Sequence, residues 1–366
     1  MQKETFAFVA ATPLQVMHCT EFVGNDLEGS AGKSDLYIVH SFGTADKISE
    51  GVKKSGIFNH VYDLMPRVRK NKLQSKLATF YDLFFSRQAL QKKSCGETLD
   101  LEKKAYEYVL ASSPTTFTIG MRLVYPKAKV YLYDDGIGSY YGSMAHDYNS
   151  KLLQAMNRLF FRGKLILEPE AMYLTLPELC RNTLSCPRHI LPTLPEEKLA
   201  ILDRIFDYQM NSVYEEHRMV YLTQPFEEIP DISIETEPAL LRLLEKYSKD
   251  TVVRVHPRQK DAQFGHLMRD PYENLWEMEC LRQLTDRNVL ISFCSTAQFM
   301  PKMLGSTQPY LIFLYRLFGK ELSGTMTEVL QEFTRQYSKP DRIFIPETLE
   351  ELEQLLERLM GPCEAL

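Results

Sequence analysis

The chain has 366 residues, 44% of them hydrophobic and 25% charged, with a formal net charge of -5. That is material for two ordinary cores, and the acidic balance excludes the overall footprint of a nucleic-acid binder. The seven cysteines (Cys19, Cys95, Cys180, Cys186, Cys280, Cys294, Cys363) are odd in number and hold no CxxC pair, which argues for a reducing compartment and against a disulfide framework or zinc site.

The opening Met1 to Thr5 is too short and too acidic for a signal peptide, and no later run approaches the ~18–20 apolar residues of a membrane span. A cytoplasmic protein is expected, with peripheral contact to the inner face of a membrane left open. Phe6 to Ala11 reads as a buried strand, followed by Thr12-Pro13-Leu14-Gln15 and helical spacing over Val16 to Val23. This is the opening βα unit of a doubly wound domain. The glycine fingerprint of a dinucleotide site is missing. Thr12-Pro13 suits a plain helix cap as well as it suits a ligand contact. Strands are expected at Asp35 to His40 and Val61 to Leu64, and a lone His40 at a strand end is more readily structural than functional.

Arg67 to Lys93 interleaves eight Lys and Arg with apolar residues at helical spacing, and Lys151 to Lys164 has the same character. Helices packed on the core with a solvated basic face explain both. Docking to an anionic membrane or an acidic lipid-linked glycan is the functional reading. Tyr106 to Ala111 and Thr116 to Ile119 read as further short strands or a helix-strand pair. Lys129 to Tyr133 is then a strand that breaks into Asp134-Asp135-Gly136-Ile137-Gly138. Adjacent carboxylates delivered by a rigid strand to a glycine turn make an active-site layout, although Asp and Gly are also ordinary turn residues.

Prolines at 187, 192 and 195 loosen the pattern before a helix over Glu196 to Gln209. The second half restarts with a strand, Met219 to Leu222, leading into Thr223-Gln224-Pro225. A helix over Glu235 to Tyr247 follows, then strands at Thr251 to Val255, Asn288 to Phe293 and Tyr310 to Tyr315. A helix is expected over Gln298 to Leu304 and a closing amphipathic helix over Leu349 to Met360. The expected class is α/β, with two Rossmann-like domains facing across a cleft. Residues 1–190 form the acceptor-side domain, 191–346 the nucleotide-sugar domain, and 347–366 a closing helix that packs back on the first.

Three strand-end features join Asp134-Asp135. In Arg254-Val255-His256-Pro257-Arg258, arginines and a histidine at a Pro-fixed turn suit a phosphate. Ser292-Phe293-Cys294-Ser295-Thr296 offers hydroxyls and amides at a helix N-terminus, which is an anion site or a simple cap. Glu277 suits a ribose or base contact, or a solvated helix position. Together they fit cleavage of a nucleotide-activated donor. Without a DxD pair, a His cluster or a phosphate loop, and with neighbouring strand residues facing opposite ways, no metal is expected.

The ordered set Thr12-Pro13-Leu14-Gln15, Tyr133-Asp134-Asp135-Gly136, Thr223-Gln224-Pro225, His256-Pro257 and Ser295-Thr296-Ala297 resembles the bacterial sialyltransferases of glycosyltransferase family 52, which include lipooligosaccharide sialyltransferases. The resemblance runs from residue 12 to about residue 305 and implies a GT-B fold. It implies inverting, metal-independent transfer of N-acetylneuraminic acid from CMP-Neu5Ac to a galactose-terminated glycan, with no other cofactor, in an enzyme that forms homodimers. Carried over, His256 assists the departing phosphate, Ser295 and Thr296 bind it, and Glu277 contacts the nucleoside. Thr12, Gln15, Gln224, Arg254 and Pro257 complete the donor-side set. The base is Asp135 with Asp134 in support, or an acid after Thr223-Gln224-Pro225, Glu227 or Glu228. Transfer from another nucleotide sugar by the same fold, and a non-catalytic sugar- or nucleotide-binding module, are the alternatives.

Overall fold

The computed structural model describes residues 5–66, 81–95, 99–113, 115–141, 157–161, 168–259 and 263–361, without the side chains of Cys95 and Glu228. The chain forms two compact units, Met1–Tyr208 and Gln209–Leu366.

The first unit is built on β1 (Phe6–Ala10), β2 (Ser34–Val39), β3 (His60–Leu64), β4 (Ser94–Cys95), β5 (Tyr108–Ala111), β6 (Lys129–Tyr133), β7 (Ala171–Leu174) and β8 (Arg188–Ile190), in the order β4-β3-β2-β1-β5-β6-β7-β8. All described pairings are parallel except β3 with β4. Every residue of β1 and β2 is buried. Central parallel strands covered on both faces are near-continuous apolar runs, which is why Phe6-Ala-Phe-Val-Ala carries no polar alternation. Phe22, from the helix Pro13–Gly24, packs edge-on to Phe8 at 5.4 Å and to Tyr173 of β7 at 4.8 Å, joining helix and sheet in one aromatic core. The strand order reverses between β1 and β5, so their carboxyl ends open a crevice of the kind where such sheets bind ligands.

The second unit repeats the plan. β9 (Met219–Leu222), β10 (Thr251–Arg254), β11 (Met268–Arg269), β12 (Val289–Ser292), β13 (Tyr310–Phe313) and β14 (Ile343–Phe344) form an all-parallel sheet in the order β11-β10-β9-β12-β13-β14. Its reversal lies between β9 and β12. Phe299, Phe313 and Phe333 pack on one another beneath it, with centroids 5.5 and 4.6 Å apart. Tyr108–Ala111 is a strand and Thr116–Val124 a helix, so the region pairs a helix with a strand, the strand coming first. Of the two basic stretches, Ser86–Lys93 is helical and 157–160 forms one helical turn, while 67–80, 151–156 and 162–164 lie outside the described residues.

The units divide between Tyr208 and Gln209, later in the chain than the 190/191 boundary expected. Residues 191–208 are held by the first unit through packing. The helix Ala200–Phe206 lies on the helix Ala45–Ser55, where a Cβ on Gly51 would stand 2.3 Å from the Ile205 carbonyl oxygen. Lys198 Nζ also donates to the Gly24 carbonyl at 2.7 Å, and Asn25 Nδ2 to that of Pro192 at 3.0 Å. The closing helix Leu349–Met360 is a member of the second unit, where Glu353 pairs with Lys246 and the Leu359 carbonyl accepts from Arg218 at 3.2 Å. Among the described residues no helix is long and apolar enough to cross a membrane.

The Gly51 contact is testable. Gly51→Ala must push two backbones apart and is expected to destabilise the first unit by about 1–3 kcal/mol. Gly43→Ala, with nothing within 4 Å of the added Cβ, is expected to leave thermal unfolding near wild type.

Candidate functional site

In the first unit the site begins with Asp134, which follows β6 and is fully buried. Its Oδ1 accepts from the Gly136 amide at 2.8 Å. Its Oδ2 accepts from the Thr175 amide at 3.0 Å, from the Thr175 hydroxyl at 2.7 Å and from the Tyr140 hydroxyl. Thr175 directly follows β7, so one carboxylate staples the ends of two neighbouring strands. Gly136 makes the turn at φ 78°, in the left-handed region that favours glycine. These bonds give Asp134 a scaffolding task and leave the exposed chemistry to its neighbour.

Asp135 faces the other way, as successive strand residues do. Its Oδ1 accepts from Gln15 Nε2 at 2.8 Å, and the Ser112 hydroxyl hydrogen-bonds its carboxylate. Gln15 Oε1 in turn accepts from the Ala11 amide at 2.6 Å, while the Thr12 hydroxyl caps the helix by accepting from the Gln15 amide at 3.2 Å. Ala11 and Thr12 follow β1, Ser112 follows β5 and Asp135 follows β6. The carboxyl group therefore sits at the switch point of the sheet, held from three strand ends. Burial pushes its pKa above the ordinary carboxylate value and Asp134 adds to this, against the lowering effect of Gln15, His18 and Ser112. A carboxylate whose pKa is raised by burial, yet still partly reachable from solvent, is a stronger proton acceptor than a free one.

The second unit presents a set of its own. The Thr223 hydroxyl accepts from the His256 amide at 2.8 Å and donates to Gln259 Oε1 at 2.8 Å, tying the end of β9 to the turn after β10. His256 Nδ1 accepts from the Arg258 amide at 3.2 Å, so the neutral ring carries its proton on Nε2 and is a donor there. Gln224 Oε1 accepts from the Cys294 amide at 3.3 Å, bridging the ends of β9 and β12 at this sheet's own switch point. Ser295 caps the helix Thr296–Leu304 in a reciprocal capping box with Gln298. Gln298 Nε2 also donates to the carbonyls of Leu290 at 3.3 Å and Ile312 at 2.9 Å. The helix N-terminus is thereby fixed to β12 and β13, with the half-buried Ser295 and Thr296 at its positive end. Burial pushes the Cys294 thiol up to about 12, which removes it as a nucleophile.

Arg254, expected on the donor side, is engaged inside the unit. Its guanidinium pairs with Asp270 at 2.5 Å and donates to the carbonyls of Tyr272, at 3.4 Å, and of Asn274. Its task is to hold the 270–274 loop. Pro257 is exposed beside His256. Glu277 opens the helix Trp276–Arg282, which is tied to the Ser295 helix by Trp276 Nε1 donating to the Ala297 carbonyl at 2.8 Å. Glu227 is exposed on the turn Phe226–Glu228, and the Glu228 side chain lies outside the described atoms. His40 is locked to Asp63 at 2.7 Å and Asp46 at 3.2 Å, a structural pairing. Sequence reasoning missed Ser112, Thr175, Tyr140 and Gln259. Ser112 and Thr175 carry one available signal, a hydroxyl directly after a strand. Among the described residues no group of three or more His, Cys, Asp or Glu is placed to hold a metal ion.

The two acids are expected to respond oppositely to substitution. Asp134→Asn replaces an acceptor by a donor against groups that already donate, and is expected to lower stability by about 2–4 kcal/mol. Asp135 has a raised folded-state pKa, so its contribution to stability is present at low pH and is lost as pH rises through that pKa. Asp135→Asn should therefore match or exceed wild type in thermal unfolding at pH 8. That advantage should vanish below the ordinary carboxylate pKa of about 4.

No protein-family model matches the chain, and no curated protein matches it. Solved structures do match in three dimensions. A UDP-glucose: anthocyanidin 3-O-glucosyltransferase in complex with UDP superposes with a TM-score of 0.56 at 10% identity, over 100% of this chain and 91% of that one. A UDP-N-acetylglucosamine 2-epimerase gives 0.53 at 14% identity, over 100% and 89%. The UDP-GlcNAc 2-epimerase of Methanocaldococcus jannaschii gives 0.50 at 12% identity, over 99% and 94%. At such identities the likeness is one of fold: two parallel-sheet α/β domains of the GT-B type.

Proposed function

We propose that the protein is a glycosyltransferase that uses a nucleotide-activated sugar, and specifically an inverting sialyltransferase acting on CMP-Neu5Ac and a galactose-terminated glycan. The observation that carries the transferase reading is Asp135, a carboxyl of raised pKa held at a switch point by Gln15 and Ser112. The sialyl specificity rests on the ordered motifs that resemble family 52, and no metal ion or further cofactor is assigned to the reaction.

In this reading an acceptor hydroxyl oxygen attacks the anomeric carbon of the donor as its proton passes to Asp135. The bond from that carbon to the CMP phosphate oxygen breaks on the opposite face, inverting the centre, and the electron pair leaves with CMP. His256 Nε2 donates to the departing phosphate, and the Ser295 helix N-terminus with Thr296 stabilises its growing charge. Asp134 and Arg254 act by holding loops. Thr12, Gln15 and Gln224 order strand ends and helix starts, and Glu277 is the nucleoside-side contact. A second reading has a specific motive, since the superposing structures are named for UDP-sugars. It is the same acid and the same phosphate site serving a UDP-sugar.

The purified protein, given CMP-Neu5Ac and UDP-sugars in turn with galactosides as acceptors in the presence of EDTA, is expected to turn over only CMP-Neu5Ac. His256→Ala is expected to reduce turnover by ~10² or more. Asp135→Asn should do the same and remove the acidic limb of the pH–rate profile. If Glu228→Gln removes that limb and Asp135→Asn does not, the base is Glu228. Turnover of a UDP-sugar alone would transfer the assignment to the second reading.

A further inference from the structure

Away from the strand-end residues, the first unit exposes apolar side chains that nothing in the reaction uses. Phe84, Phe85, Leu159 and Phe160 are 46%, 50%, 75% and 62% exposed. They form one patch: Phe84 lies 5.5 Å from Phe160 and 4.9 Å from Phe161, and Tyr81 lies 5.1 Å from Phe85. Beside them runs a groove of about 280 Å³, lined by Leu83, Phe84, Arg87, Leu123 and Phe161 among others.

Cations border this patch. Arg87 lines the groove, and the exposed Arg158 precedes Leu159. Lys92 Nζ sits 5.6 Å from the centre of the Tyr81 ring. Among the described residues at these contacts the acids are fewer. Asp82 is buried against Lys93 at 2.6 Å, which leaves Glu102, 2.9 Å from Arg87, as the exposed counter-charge among these contacts. In a chain of net charge -5, this face reverses the local sign.

We propose that this face docks the protein on the surface of an anionic lipid bilayer. Phe84, Phe85, Leu159 and Phe160 enter the headgroup boundary, and Arg87, Lys92 and Arg158 meet lipid phosphates. Protruding apolar tips with cations among them suit an interface that is apolar below and negatively charged above. A second copy of the chain suits it poorly. A two-fold contact would set one cation-bordered patch against an identical one, and the centres of protein interfaces are depleted in charge.

The full-length protein is mixed with vesicles of phosphatidylglycerol and phosphatidylcholine, or of phosphatidylcholine alone, and separated by flotation. Binding is expected to the anionic vesicles at low salt and to fall at about 0.5 M salt, as screened phosphate contacts do. Leu159→Glu with Phe160→Glu, and Arg158→Glu separately, should each weaken it at least tenfold. Met210→Glu, at an 82% exposed apolar residue of the other unit, should leave it unchanged. Leu159→Glu alone replaces a side chain with little packing to lose, so misfolding of the double variant leaves the test standing. No flotation with anionic lipid, or flotation unaffected by the Leu159 and Arg158 variants, would overturn the proposal. So would conversion of a wild-type dimer to a monomer by Leu159→Glu, which would make the patch a self-association surface. Since the readout is binding, failure here is distinct from failure of the transferase reading.

Discussion

The first unit's site depends on the burial of one charge. A carboxylate with no access to water must be met by donors, or it costs several kcal/mol. Asp134 meets four of them, from Gly136, Tyr140 and Thr175, and these come from the turn after β6, the helical turn Gly138–Tyr141 and the end of β7. The side chain of Asp135 is aimed as a consequence, because the residue before it cannot move without leaving a buried charge unpaired. The half-exposed acid is placed by the fully buried one, and the roles cannot be exchanged.

Both units solve the same problem with the same kind of residue. Where strand order reverses, neighbouring strands leave amide groups at their carboxyl ends with no ladder partner. In each unit a glutamine just after the first strand closes that gap. Gln15 takes the Ala11 amide and hands its own N–H to Asp135, and Gln224 takes the Cys294 amide beside the Ser295 helix. A carboxamide suits the task because it donates and accepts without titrating. The support that Gln15 gives Asp135 therefore does not itself change with pH.

Most of the architecture was legible from the chain. Continuous apolar runs marked β1, β2, β9 and β12, and the closing helix has the limits its periodicity implied. What could not be read came from adjacency. Ser112 and Thr175 look like any hydroxyl after a strand until the sheet order places β5 and β7 on either side of β6. Arg254 reads as a phosphate ligand until Asp270, sixteen residues on, claims it. The strands β7 and β8 were missed because Ala-Met-Tyr-Leu and Arg-His-Ile carry almost no β-branched or alternating signal, and the pairing of β7 with β6 and of β8 with β7 defines them. The boundary near residue 190 followed prolines, whereas the true division follows packing. Gly51 lets Ile205 close on its backbone and so draws 191–208 into the first unit.

Gln298 has a further consequence. Its single side chain caps Ser295 with one end and spans the carbonyls of two strands with the other, while itself fully buried. The first turn of that helix has therefore surrendered its freedom during folding. An anion arriving there meets amide dipoles that are already immobile, so the ordering entropy that a loose loop would lose on binding does not weaken the complex. The same rigidity limits what can bind: the turn cannot swell or tilt to suit a larger anion. In the proposed reading, the size of the phosphate group that this turn accepts is set by a glutamine that does not touch it.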